Sequence, residues 1–256
     1  GYGEFGSLYS GEPMIHNGAD DNASGVAALL YLASRLQDNA AAKNNNFLFI
    51  AISGEELGLL GSKNWVAEPT INLGTVNYML NMDMVGRLNE EKVLVINGEG
   101  TSPAITPSLE GVRVGGIRAK TTESGVGASD HTSFYLQDIP ALHFFSGQHN
   151  DYHKPIDDSH RLNYPGILSI GNFMLAFIEE LDDQGRLEFT ATKNESQGRS
   201  AASFKVTLGV LPDYVYDGKG MRVDSVIEGR PGLLGGMQNG DVVLMVGDLE
   251  VGDIYD

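Results

Sequence analysis

The stretch that most limits what this chain can fold into is Phe47-Leu48-Phe49-Ile50-Ala51-Ile52-Ser53-Gly54-Glu55-Glu56, an uncharged run that breaks at a glycine and ends in two adjacent acids. Apolar runs of this length between turn signals read as buried parallel strands. In open α/β sheets the chemistry sits beyond the carboxyl ends of such strands. Two carboxylates side by side there repel each other and are costly to desolvate unless a cation or a shared proton compensates. An isolated Glu-Glu pair is more often a solvated loop. Here, however, other acids and a histidine stand at comparable strand ends.

Val26, Leu29, Leu30, Ala33 and Leu36 recur at helical spacing, so a helix begins near Ser24, with Asp20 and Asp21 just before its N-terminus. After the 47–53 strand comes a short helix through Leu59, Leu60 and Trp65, then an apolar run over 76–82 that ends at Asp83. Residues 92–96 and 139–145 read as strands, while the Gly/Thr/Ser-rich segment 100–129 gives no assignment. The polar loop 151–158 carries His153, and Ile167, Ile170, Met174, Phe177, Ile178 and Leu181 mark a long amphipathic helix. Strands alternating with helices imply a three-layer α/β/α domain over 1–183 with a mainly parallel mixed sheet. Residues 184–203 turn polar, as a linker does. Short strands expected over 204–210, 221–227 and 241–246 make 204–256 a small β-rich module. The opening Gly1-Tyr2-Gly3-Glu4-Phe5-Gly6 matches a dinucleotide fingerprint but has no strand before it, so it reads as a loop.

Composition narrows the function. The 34 acids against 17 bases give −17, which argues against nucleic acid or an anionic membrane surface as partner. There is no cysteine, hence no thiolate chemistry, and no run approaches the roughly 20 apolar residues of a membrane span. No signal peptide is visible, and the chain opens on Gly1 rather than Met, as a processed piece would.

Asp20, the Glu55–Glu56 pair, Asp83 and His153 all lie at a strand end or helix start. Carboxylate and imidazole ligands without thiolate suit Zn²⁺, and less selectively Mn²⁺ or Co²⁺. A carboxylate bridging two metals is the mark of two-metal hydrolases. One glutamate of the pair can ligate while the other stays free as a general base. His143, in an apolar strand, reads as a core histidine, and His149 and His160 as surface residues.

The segments Gly18-Ala19-Asp20-Asp21-Asn22-Ala23-Ser24-Gly25, Gly54-Glu55-Glu56-Leu57-Gly58, Asn81-Met82-Asp83-Met84-Val85-Gly86, Ser129-Asp130-His131 and Tyr152-His153-Lys154-Pro155-Ile156-Asp157 occur in the order seen in co-catalytic zinc aminopeptidases. The chain therefore resembles metallopeptidase family twenty-eight, the bacterial leucyl aminopeptidase group, over about residues 12–182. The resemblance implies a zinc exopeptidase acting on peptides with a free N-terminus, secreted or periplasmic. It casts Asp20 as bridging ligand, Glu55 as general base, Glu56 and His153 as ligands of one zinc, Asp83 as ligand of the other, and Tyr152 as the phenol that stabilises the oxyanion. Asp157 would orient His153, and Asp21 and His131 would stand behind the ligands. Family members also carry a His-x-Asp motif upstream, which completes the Asp83 site. None stands here, and His16 lies too close to Asp20 to replace it, so one zinc rather than two is expected for this chain, with a strand or two of the domain missing. A glutaminyl cyclase-like enzyme with one zinc on Asp20, Glu56 and His153 is the nearest alternative, and a carboxypeptidase-like relative would share these ligands. In the C-terminal module, Leu208-Gly209-Val210 resembles the carboxylate-binding loop of a PDZ domain, which would take a peptide C-terminus by strand addition. The chain ends before that fold's groove helix, which implies a partial PDZ-like module. A non-catalytic peptide-binding protein acting through that module is the remaining alternative.

Overall fold

The computed structural model describes residues 7–9, 11–192, 208–212, 216, 218–226 and 231–252. Two compact units emerge, one comprising Ala19–Ser146 with Ser159–Lys193, the other Gly1–Gly18, Gly147–Asp158 and Asn194–Asp256.

The larger unit is mixed α/β. Its elements in order are α1 (Gly25–Leu36), α2 (Leu60–Ala67), β1 (Met79–Met82), β2 (Val93–Asn97), α3 (Ile105–Gly111), β3 (Arg118–Thr122), α4 (His131–Tyr135), β4 (Ala141–Phe145) and α5 (Tyr164–Asp182). The four strands order as β1-β4-β2-β3. The β1–β4 and β2–β3 pairs are parallel and β2–β4 is antiparallel. β4 is apolar at nearly every position because its two sides are both covered. Leu142 and Phe144 join a core built from α1, α3 and α5, whereas Ala141 joins a second cluster with Val66 of α2 and Phe134 and Tyr135 of α4. α5 starts sharply, since the Asn163 side chain accepts from the Gly166 N–H and a proline occupies the first turn. Among the described residues, no helix is long and apolar enough to cross a membrane.

Two segments depart from the sequence reading. The unassigned stretch 100–129 holds α3 and β3, whose alternation of exposed Arg118, Ala119 and Thr121 with half-buried Lys120 and Thr122 hides an edge strand behind polar side chains. Residues 47–52, expected as a buried strand, are extended but paired to nothing, and Leu48 and Phe49 stand exposed. Residues 187–192, within the polar stretch expected to be a linker, run along the domain. The Leu187 N–H donates to Asn77, the Thr190 N–H donates to the Thr101 carbonyl at 2.9 Å, and the Thr192 N–H donates to the Tyr135 hydroxyl at 3.0 Å.

The smaller unit contributes β5 (Val210–Pro212), β6 (Met221–Val226), α6 (Pro231–Leu234), β7 (Val242–Val243), β8 (Met245–Val246) and β9 (Leu249–Glu250). β5, β6 and β7 form an antiparallel sheet, and β8 and β9 a hairpin. Leu208 and Gly209 precede β5; Gly209 takes φ 72°, and the Leu208 carbonyl accepts from the Gly232 N–H at 2.7 Å. The expected strand over 204–207 and most of the expected linker lie outside the described residues.

Candidate functional site

The loop ahead of α1 places its two acids in different surroundings. Asp20 is fully buried; its Oδ1 accepts from the Gly86 N–H at 2.6 Å and from the Ser24 hydroxyl at 2.9 Å. Asn22 donates from Nδ2 to the Met82 carbonyl, and its Oδ1 accepts from the Gly25 and Met84 N–H groups. Ser24 Oγ accepts in turn from the Val85 N–H at 3.0 Å. Residues 20, 22 and 24 thus stitch the loop to the turn after β1. Asp21 has extended dihedrals (φ −105°, ψ 88°) and is only half-buried. A carboxylate oxygen of Asp21 lies within 4.8 Å of one of Glu56. Asp20, expected as the bridging ligand, is thus buried and bonded within the loop, while Asp21 is the acid brought near Glu56.

Glu55 and Glu56 open a single helical turn after Gly54, whose φ of 74° turns the chain left-handed; the Gly54 carbonyl accepts from both the Leu57 and Leu60 N–H groups. A substituent at that backbone geometry would be strained, so a glycine makes the turn that leads into the two acids. Burial, and then the negative charges of Asp83, Glu56, Asp130 and Asp21, push the Glu55 carboxyl up to about 8. Asp83 sits one residue past β1, its N–H donating to the Phe144 carbonyl. Its Oδ2 accepts from the Ser129 hydroxyl at 2.7 Å, and Ser129 Oγ accepts from Asn81 Nδ2 at 2.7 Å. Burial, partly offset by that Ser129 bond and reinforced by Asp21, Glu56 and Asp130, raises Asp83 to about 7. Asp130 is likewise raised, first by burial, with a Ser62 hydrogen bond acting against it.

Asp21, Glu55, Glu56, Asp83 and Asp130 therefore share one neighbourhood, and Glu55, Asp83 and Asp130 hold protons against their ordinary preference. A divalent cation among them would reverse that sign, and a set of carboxylate oxygens is a donor set that zinc accepts. The residues present fit such an ion. Asp130 was not singled out from the sequence as a site residue; its only signal was its place between Ser129 and His131.

His131 opens α4 fully buried, with neither ring nitrogen hydrogen-bonded, stacked on His143 at 5.0 Å. Burial, with the adjacent His143, holds it neutral. Burial also lowers His143 to about 4, while Asn97 Nδ2 meets its Nδ1 at 3.2 Å. Both are interior rings rather than donors among the clustered acids.

In the smaller unit, Tyr152 and His153 stack with centroids 3.7 Å apart. His153 adopts φ 53°, and its carbonyl accepts from the Leu8 N–H at 3.0 Å. Asp157, buried at 2% exposure, closes the same turn through its N–H to the Lys154 carbonyl. A non-glycine residue in the left-handed region costs of order 1–3 kcal/mol and persists where surroundings over-determine it, as functional sites often do.

Comparison with known proteins follows the same residues. Aminopeptidase YwaD of Bacillus subtilis is 28% identical over 176 residues, covering 64% of this chain and 37% of that protein. Leupeptin-inactivating enzyme 1 of Streptomyces exfoliatus is 32% identical over 139 residues, covering 54% and 30%. The chain thus spans about a third of the length of these relatives. Among solved structures, the zinc aminopeptidase BSAP from Bacillus subtilis superposes with a TM-score of 0.57 at 26% identity over 68% of this chain and 43% of that one. The LapA aminopeptidase of Legionella pneumophila shares the fold at a TM-score of 0.54 and 24% identity, over 65% of this chain and 47% of that one. The pattern described as Peptidase family M28 matches residues 5–178, so the chain belongs to that family.

Proposed function

We propose that this chain belongs to a zinc-dependent aminopeptidase that removes N-terminal residues from peptides. The observation that carries the reading is the convergence of Asp21, Glu55, Glu56, Asp83 and Asp130, with Glu55 raised to about 8. In the proposed allocation Asp21 takes the bridging role, Glu56 and His153 hold one zinc, and Asp83 belongs to the second position. Zinc, when bound, would polarise the scissile carbonyl and acidify water. Glu55, free of ligation, takes the proton from the attacking water and delivers it to the leaving amine. Ser129 donates to one oxygen of Asp83, which leaves the other available as a ligand. Tyr152 would donate to the developing oxyanion, and Asp157 would fix the imidazole of His153.

We further assign the chain to an exopeptidase domain over 1–183, a connecting stretch over 184–203 and a peptide-binding β module over 204–256, with Leu208, Gly209 and Val210 as the loop that would meet a peptide C-terminus. The aminopeptidase names of most of the relatives support the first assignment; the loop sequence alone supports the last.

The test uses the full-length protein with leucyl-p-nitroanilide. Turnover that a chelator abolishes, zinc restores and N-acetylation of the substrate blocks is expected. Equal hydrolysis of the acetylated substrate would refute an aminopeptidase, and cyclisation of glutaminyl peptides in place of hydrolysis would favour the glutaminyl cyclase-like alternative.

A further inference from the structure

Residues 124–135 lead from β3 through α4 and carry two groups of the acid cluster, Ser129 bonded to Asp83 and Asp130 itself. The segment is tied to itself. The Thr132 hydroxyl donates to the Gly127 carbonyl at 2.7 Å and accepts from the Gly127 N–H at 2.8 Å. The Thr132 and Ser133 N–H groups donate to the Ser129 and Asp130 carbonyls at 3.1 and 3.2 Å, and the Ser133 hydroxyl meets that of Ser62 at 2.8 Å. The chain thus forms an arch whose feet are Gly125 and Tyr135, set so closely that a β-carbon on Gly125 would collide with the Tyr135 ring. Ser129 and Asp130 lie between those feet.

The feet are joined by a residue far along the chain, Thr192. Its hydroxyl accepts from the Gly125 N–H at 3.1 Å and donates to the Tyr135 hydroxyl at 3.1 Å. Its N–H donates to the same Tyr135 oxygen at 3.0 Å, and the Tyr135 hydroxyl donates back to the Thr192 carbonyl at 3.2 Å. Each donor has one acceptor, a closed set that requires a β-hydroxyl at position 192. The strap that delivers Thr192 is already anchored before it arrives. Leu187 is buried in the core shared with α1, α3 and α5, Phe189 lies on Tyr135 with ring centroids 5.4 Å apart, and the Thr190 N–H donates to the Thr101 carbonyl at 2.9 Å. Apolar packing would hold the strap in place without Thr192. The directional bonds at 192 add something else, a fixed spacing between the feet of the arch.

We propose that Thr192 is a positioning residue of the metal site. By joining Gly125 to Tyr135 it fixes the arch that holds Ser129 against Asp83 and sets Asp130 among the acids. Metal ligands depend on the groups behind them for their orientation, and here that dependence extends through Ser129 and the arch to a residue beyond α5. The inference rests on the zinc-peptidase reading for what the arch serves, whereas the clamp at its feet stands without that reading.

The experiment compares the full-length protein with Thr192→Val, which keeps the shape but not the hydroxyl, with Thr192→Ser, which restores the hydroxyl, and with Tyr135→Phe, which removes the partner but keeps the ring against Phe189. Amide hydrogen exchange is read in chelator, and zinc affinity by competition with a chromophoric chelator. In Thr192→Val and Tyr135→Phe the Gly127, Thr132 and Ser133 amides should exchange roughly tenfold faster while those of β2 keep the parental rate, and Thr192→Ser should match the parent. Zinc should bind roughly tenfold more weakly to Thr192→Val and Tyr135→Phe, and with parental affinity to Thr192→Ser. Faster exchange with unchanged zinc affinity would make Thr192 a structural tie alone and overturn the proposal, as would parental exchange in both variants. A parent that binds no zinc would refute the zinc reading, and the exchange pattern would then decide the clamp by itself.

Discussion

Two neighbouring aspartates can be told apart by what each loses on truncation. Asp20→Ala removes a buried carboxylate that accepts from Gly86 N–H at 2.6 Å and from the Ser24 hydroxyl at 2.9 Å. Hydrogen bonds to a charged group contribute roughly 1.5–3 kcal/mol, and a stranded buried donor costs about 1–3 kcal/mol. Ser24 keeps a partner, because its hydroxyl also reaches the Asp20 carbonyl at 2.7 Å, so the stranded group is the Gly86 N–H. The expected loss is roughly 3–5 kcal/mol. Asp20→Asn keeps an acceptor for Gly86 and should lose about 1–2 kcal/mol by the same reasoning. Asp21→Ala, at a half-exposed position amid other acids, should change stability by less than about 1 kcal/mol in the metal-free protein, since it relieves repulsion. Urea unfolding in chelator gives these stabilities, and elemental analysis after zinc loading and dialysis gives metal content. Asp20→Asn should retain zinc and Asp21→Ala should lose it. A folded Asp20→Asn without zinc, beside an Asp21→Ala that keeps it, would refute the assignment.

Glu55→Gln in the full-length enzyme should cut turnover by roughly two to four orders of magnitude while zinc content is unchanged; parental activity would remove Glu55 as the base. Asp182, at the end of α5, ties down the 43–45 loop. Burial opposes its ionisation, but hydrogen bonds from the Asn44 N–H, the Asn45 side chain and the Lys43 and Asn45 N–H groups outweigh it and hold its carboxyl below the usual range. A depressed folded-state value stabilises above the unfolded carboxyl's range and is lost as pH falls through it, so Asp182→Ala should be markedly less stable at pH 7, and the gap should narrow toward pH 2–3 in urea titrations. His153→Ala should lower zinc content and remove the rise in melting temperature that zinc gives the parent, and equal zinc-dependent melting would exclude it as a ligand. This chain should retain one zinc after dialysis, and two would mean that another residue supplies the absent imidazole.

Helices were legible because their signals are local. The periodicity from Val26 to Leu36 and from Ile167 to Leu181 needs only a neighbouring layer, and α1 and α5 lie where it places them. The acids at strand ends were legible for the same reason, as a glycine, a strand and a carboxylate are adjacent in sequence. The different surroundings of Asp20 and Asp21 were not, because they depend on Gly86, more than sixty residues away. The pairing of 47–52 was misread since apolar content reports a strand's wish to be buried, not whether a neighbour is present to bury it. β3 escaped notice because an edge strand of arginine, lysine and threonine has no apolar face to betray it.

The stitching of residues 20, 22 and 24 to the turn after β1 makes the loop count residues rather than recognise them. Asp20, Asn22 and Ser24 each bond a fixed backbone group of β1 or the turn after it, so inserting or deleting a single residue between Asp20 and Ser24 would change which acid is buried and which is brought to Glu56 without altering a side chain. Such a chain would carry the same acids and aim the wrong one at Glu56. Length, in this loop, is as much a part of the site's chemistry as charge.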